Sequence, residues 1–234
     1  MGTVTLTYFL LPESLTPERR KHDSDTKAKH PHVSPLALLR LPSISLIVVI
    51  AFGSQFAFFS FQGLWVLWAE KVMLAGNDPQ YIQQVVGGIF TFVGLMSIVA
   101  QAWLIRPLVR RFGEKPLVAG GALLRGFAWG TMALFPTLGA SVAVVPAMAI
   151  GTSISQPALT ALLTYAAPPG QRGQVIGLLE SFQSLGRVLG PIAAGFLFQQ
   201  IHPSAPLVLA AAVSGVVSII ALGLWRVPLQ KPSK

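Results

Sequence analysis

Charged residues are missing from four long stretches of this 234-residue chain: 41–69, 79–105, 126–171 and 188–225 contain none. A bilayer core about 30 Å thick is crossed by about 20 consecutive apolar residues in a helix. Every gap exceeds that length, and the two longest are each divided by a turn, Pro136-Thr137-Leu138-Gly139 and His202-Pro203-Ser204. Only 11% of residues are charged and 53% are hydrophobic, where a soluble domain carries about 25% charged residues. With a mean hydropathy of +0.64, the pattern excludes an ordinary soluble enzyme, a disordered chain and a collagen-like one. It points to an all-α, polytopic membrane protein.

Several chemistries drop out early. The chain has no cysteine, hence no disulfide framework, thiolate metal site or cysteine nucleophile. His22, His30, His32 and His202 show no paired i, i+4 spacing, so no metal site is expected. A G-x-x-x-x-G-K-[ST] motif is absent, which leaves no sequence basis for ATP-driven transport. No cofactor is expected. No paired catalytic residues suggest an intramembrane enzyme.

Six spans are expected, at about 44–69, 81–105, 116–135, 140–165, 173–200 and 206–225. Glu70-Lys71 and Gly76-Asn77-Asp78-Pro79 separate the first two, and Pro168-Pro169-Gly170-Gln171-Arg172 the fourth and fifth. These segments lack the polar face that a helix of a soluble core presents to water. Ahead of them, residues 1–11 contain an apolar run of nine, Thr3 to Leu11, too short to span. Pro12 and Pro17 break that run. Residues 12–43 then read as a solvated linker, with Arg19, Arg20, Lys21, Lys27 and Lys29 mixed with Asp23 and Asp25. The bundle is expected over 44–225 and a tail over 226–234.

Orientation follows from where the basic residues fall. The linker and Arg40, the loop with Arg106, Arg110, Arg111 and Lys115, the loop with Arg172, and the tail with Arg226, Lys231 and Lys234 share one side. The opposite loops hold only Lys71. Both termini are therefore expected in the cytoplasm, in a plasma (inner) membrane protein. The net charge of +9 is thereby explained at the lipid surface without nucleic acid.

The loop 108–117, LVRRFGEKPL, resembles the G-x-L-x-D-R-x-G-R-K signature between the second and third helices of each half of major facilitator superfamily transporters. Arg110 stands where that pattern has Asp, Glu114 where it has Arg, and Arg106 where it has the first Gly. Such departures suit the degenerate copy in a C-terminal half. Arg111, Gly113 and Lys115 keep the pattern, with Gly113 placed for a tight reversal. The fifth span, with Gly186, Gly190, Pro191 and Gly195, resembles the penultimate helix of drug:proton antiporter branches. Its glycines are expected to let helices approach closely and its proline to kink. Residues 8–20 resemble the exit of the sixth helix of a twelve-helix carrier, which makes 1–11 the stump of a preceding helix and 12–43 the central cytoplasmic linker.

A charge inside the bilayer costs at least about 2.5 kcal/mol, so those within spans are informative. On the fifth span Glu180, Gln183, Ser184 and Arg187 make a polar stripe. Two readings stand for it: a cavity-facing strip with Glu180 as a proton carrier and Arg187 a substrate or partner contact, or a solvated Glu180 with Arg187 bonded to carbonyls for packing. Arg125, in the third span, is expected to snorkel back to the headgroups. Gln55, Phe59 and Gln62 on the first span, and Ser153, Gln156 and Thr160 (with Thr164 beyond) on the fourth, form further polar stripes. The resemblance implies that these two helices line the central cavity; the other reading is interhelical hydrogen bonding.

The resemblance implies one six-helix half of a secondary transporter, exporting small amphipathic or drug-like molecules in exchange for protons. Its partners would be the bilayer, a small-molecule substrate, protons, and an N-terminal half or a second copy. The alternative is a truncated half without transport of its own, inert or an assembly partner.

Overall fold

The computed structural model describes residues 34–168 and 170–226. The expected stump, most of the linker and the tail beyond Arg226 lie outside the described residues. Just before the bundle, a short helix α1 (Pro35–Leu38) packs Leu38 into the core.

Six long helices follow, each started or stopped by a local signal. α2 (Pro42–Gln62) has proline in its first turn, where its fixed φ suits a helix start. Its 21 residues span about 31 Å at 1.5 Å per residue. The helix stops at Gly63-Leu64 instead of continuing to residue 69, and restarts as α3 (Trp65–Trp68) with a wide π-type turn (Ala69–Met73). Glycine costs a helix about 1 kcal/mol relative to alanine, and Gly63 marks the break. The Asp78 carboxylate accepts the Gln80 N–H at 2.9 Å and caps α4 (Pro79–Val99). Through a second π-type turn (Ala100–Leu104), α4 runs on into α5 (Ile105–Phe112). Gly113 reverses the chain at φ 78°, a backbone region that favours glycine. Then come α6 (Glu114–Leu134) and α7 (Leu138–Ala166), the latter capped by the Thr137 hydroxyl accepting the Ala140 N–H at 3.2 Å. α8 (Arg172–Gln200) and α9 (Ala205–Leu222) complete the bundle, and a 3-10 turn (Gly223–Arg226) closes it.

Five of the six long helices are both long and apolar enough to cross a membrane. The exception is α8, whose 29 residues reach about 43 Å but whose stripe of Glu180, Gln183 and Arg187 lowers its hydropathy. Packing divides the helices further. α2 lies against α8 and α9, α6 against α7 and α9, while α4 meets mainly α7. Within their most apolar windows α2 is 56% buried and α4 only 17%, so α4 is peripheral to this bundle.

Small residues set the α2–α8 contact. A Cβ on Gly190 would lie 2.7 Å from the Phe56 carbonyl oxygen, and one on Gly186 2.8 Å from that of Phe52. Neither distance is tolerable, so glycine is required at both. The Ser60 hydroxyl, 2.7 Å from the Phe56 oxygen, lies 3.1 Å from the Gly190 oxygen and bonds across the contact. Gly195 departs from the expected packing role, since a Cβ there would meet nothing within 4 Å. Five residues beyond Gly190, it is rotated about 140° off that face.

Arg125 also departs from expectation. Instead of snorkelling it is 2% exposed, and its Nε and Nη2 have no partner among the described residues. The reason is register: Val118, Ala122, Arg125, Trp129 and Met132 make the buried stripe of α6. Gly151 on α7 leaves room for the stem, since a Cβ there would sit 3.1 Å from the Arg125 Cγ. Beyond Arg125, towards the end remote from the basic loops, aromatic rings fill the interior. Phe61 packs on Trp129 at 5.5 Å between ring centres, and Trp65 on Phe90 at 5.1 Å. Trp68, fully buried, donates its indole N–H to the Ser204 hydroxyl at 3.1 Å.

Candidate functional site

The polar stripe of α8 joins that of α7. Glu180, Gln183 and Arg187 recur at i, i+3, i+7, which puts them on one helical face. The Arg187 Nη2 lies 3.6 Å from the Glu180 Oε2 and donates to the Gln183 Oε1 at 3.4 Å. Gln183 in turn donates from Nε2 to the Gln156 Oε1 on α7 at 3.3 Å. Gln183 is buried while Glu180 and Arg187 stay substantially exposed. The chain thus runs from an exposed ion pair through the buried Gln183 to the half-buried Gln156 on the neighbouring helix. An exposed ion pair contributes about 0–1 kcal/mol, so this one opens at little cost, whereas the buried Gln183 amide would lose a partner that water replaces less readily.

The residues of the α2 and α7 stripes have different settings in the bundle. Gln55 is buried where α2 meets α8, its Cβ 3.1 Å from the position of a Cβ on Gly186. Phe59 is half-buried edge-on against Phe58. Ser153 is half-buried, and the exposed Thr160 turns its hydroxyl back onto the Gln156 carbonyl at 3.2 Å. None of these four joins the amide chain.

Gln62 instead faces a cavity of about 180 Å³ with Phe58 and Phe61 of α2, Trp65 of α3, Phe90 of α4 and Met148 of α7. Sequence reasoning missed Phe58, Phe61 and Met148. The signal was present in α2, where residues 58, 61 and 62 follow i, i+3, i+4, the spacing of one helical face. Thr152, also on the cavity wall, lies one turn from Gln156 on α7, about 6 Å along the axis. The apolar cavity and the amide chain therefore adjoin on one helix. Drug-sized sites occupy about 300–1,000 Å³, so the cavity accommodates only part of such a molecule.

Of the loop residues, Arg110 and Arg111 are exposed at the end of α5, Gly113 makes the turn and Lys115 is half-buried. The Tyr165 hydroxyl donates to the Glu114 carboxylate at 3.4 Å, tying the end of α7 to the start of α6. Among the described residues no group of three or more His, Asp or Glu is placed to hold a metal ion.

The family model of the Major Facilitator Superfamily matches residues 50–234. The chain belongs to this superfamily. It is a multi-pass integral membrane protein of a family of secondary transporters, not an enzyme. Multidrug resistance protein 2 of Bacillus subtilis (strain 168) is 29% identical over 228 residues, which are 95% of this chain and 53% of that protein. The class D tetracycline resistance protein of Salmonella ordonez is 25% identical over 203 residues, 87% of this chain and 49% of the relative. The crystal structure of the human organic anion transporter MFSD10 shares the fold, with a TM-score of 0.67 at 21% identity, covering 81% of this chain and 46% of that one. The chain spans about half the length of the relatives it matches.

Proposed function

We propose that this chain is one six-helix bundle of a two-bundle carrier that exports small amphipathic molecules by alternating access, in exchange for protons. The observation that carries this reading is the cavity of aromatic and methionine side chains adjoining the Gln156–Gln183–Arg187–Glu180 chain. Broad apolar area with a few amides suits lipophilic molecules of varied shape. A midplane site shared between two rocking bundles is the usual arrangement in secondary transporters, and a half-sized cavity fits a site that a second bundle completes. That bundle is an N-terminal half or a second copy of this chain, set against the exposed faces of α4 and α8.

Glu180 is the proposed proton carrier, with Arg187 its alternating partner: protonation of the carboxyl frees the guanidinium for substrate. Arg40, Arg106, Arg110, Arg111, Lys115, Arg172 and Arg226 gather at one end of the bundle and Lys71 at the other. That asymmetry supports cytoplasmic termini in the plasma (inner) membrane.

The test is dye or drug efflux from reconstituted vesicles under an imposed pH gradient, with this chain alone and with a six-helix N-terminal partner. Transport with the partner, or by the chain as a homodimer, is the expected result. Glu180→Gln should abolish its dependence on the gradient, and persistence of that dependence removes Glu180 from the coupling role. The second reading is a half without transport of its own. No movement in either preparation would select it.

A further inference from the structure

The basic end of the bundle carries a cleft of about 330 Å³ that the transport reading does not use. Phe112, Glu114, Lys115, Leu162, Tyr165 and Trp225 line it, where α5 turns into α6 beside the ends of α7 and α9. On the rim, α5 is amphipathic. Ile105, Leu108, Val109 and Phe112 recur at i, i+3, i+4, i+7, while Arg106, Arg110 and Arg111 are exposed on the remaining faces. The Arg111 guanidinium lies 5.6 Å from the centre of the Phe112 ring. No residue of α5 is buried, and Phe112, Trp103 and Trp225 are all at least half exposed. Indole rings such as those of Trp103 and Trp225 concentrate at the membrane–water boundary. Lys115 and Glu114 are the charged residues of the lining, Arg110 and Arg111 are exposed on the last turn of α5 leading into it, and Glu114 already accepts the Tyr165 hydroxyl.

We propose that this cleft is a binding site for an anionic phospholipid. The phosphate sits at Arg110 and Arg111, and the first methylenes of the acyl chains lie along Phe112, Leu162 and Trp225. Guanidinium forks match phosphate oxygens in a bidentate fashion, and juxtamembrane basic residues each strengthen attraction to anionic lipid by about fivefold. The apolar wall distinguishes a lipid from a soluble phosphate, which would gain nothing from it. The site requires membrane insertion but no transport activity.

Native mass spectrometry of the full chain in detergent tests it, titrating phosphatidylglycerol and phosphatidylcholine of identical acyl chains. The first phosphatidylglycerol should bind about 25-fold more tightly than phosphatidylcholine, the combined effect of two arginines at the headgroup. Arg110→Gln and Arg111→Gln should each weaken phosphatidylglycerol about fivefold and leave phosphatidylcholine unchanged. Glu114→Gln, which removes the one repulsive charge, should tighten it. Arg40→Gln, exposed at the same end but on α1–α2, should have no effect. Equal affinity for the two lipids overturns the proposal, and so does an Arg40→Gln loss as large as that of Arg110→Gln, since the attraction would then be diffuse. Displacement by glycerophosphoglycerol, the headgroup without acyl chains, overturns it in favour of a soluble anion. All three arginine changes are at exposed positions, and an unchanged thermal midpoint separates binding loss from misfolding.

Discussion

Arg125 sits in the middle of α6 with two of its nitrogens unpartnered among the described residues and its stem lying along Gly151. A buried polar group without a partner costs about 1–3 kcal/mol, more when charged, and an ionised group in the bilayer interior at least about 2.5. Replacing such a group with an apolar side chain of similar volume often stabilises a protein. Arg125→Met should therefore raise the thermal unfolding midpoint of the detergent-solubilised chain, whereas Arg125→Ala, which leaves a cavity, should lower it. A lower midpoint for Arg125→Met would mean that the guanidinium is satisfied inside the bundle after all. The charge of this residue was plain from its letter. Its burial was not, because it depends on which heptad stripe of α6 faces the core, and α6 is apolar on most sides.

The α2–α8 pair is where the sequence pattern translated most directly into contact. Gly186 and Gly190 are one turn apart, and both press on the backbone of α2. Adding a methyl at Gly190 forces the helices apart, and overpacking of this kind costs about 1–3 kcal/mol. Gly190→Ala should lower the unfolding midpoint accordingly. Gly195→Ala, where a Cβ meets nothing within 4 Å, should leave it unchanged or raise it by the gain in helix propensity, about 1 kcal/mol. Equal losses at both positions would contradict the assigned face. The same rotation argument separates the two aromatic sets on α2. Gln55 and Phe59 are half a face away from Phe58 and Phe61, and only Gln62 borders both. With apolar residues nearly all round α2, periodicity alone could not choose between them, and the contact with α8 did.

For the molecule as a whole, the exposed apolar faces of α4 and α8 are the surfaces against which a second bundle is proposed to sit. The chain has no cysteine, so single cysteines report on it cleanly. Introduced at Leu95 on α4 or Ile192 on α8, both exposed, they should lose most of their maleimide reactivity when the N-terminal half is co-expressed. A cysteine at Leu123 on α6, equally exposed, should keep its reactivity. Uniform protection, or none, would count against that arrangement.

The number of long helices, their approximate ends and the gathering of positive charge at one end were legible in the amino-acid order, since each rests on local quantities: the length of a charge-free run, a proline at a helix start, a glycine at a turn. The burial of Arg125, the open setting of Gly195, the break of α2 at Gly63 and the meeting of Gln156 with Gln183 emerged only when the helices were packed together. In a chain whose segments are apolar on nearly every side, water leaves no polar face to mark the outside. Rotation about each axis is then settled by how side chains interlock between helices distant in sequence, and that information is carried by no single segment.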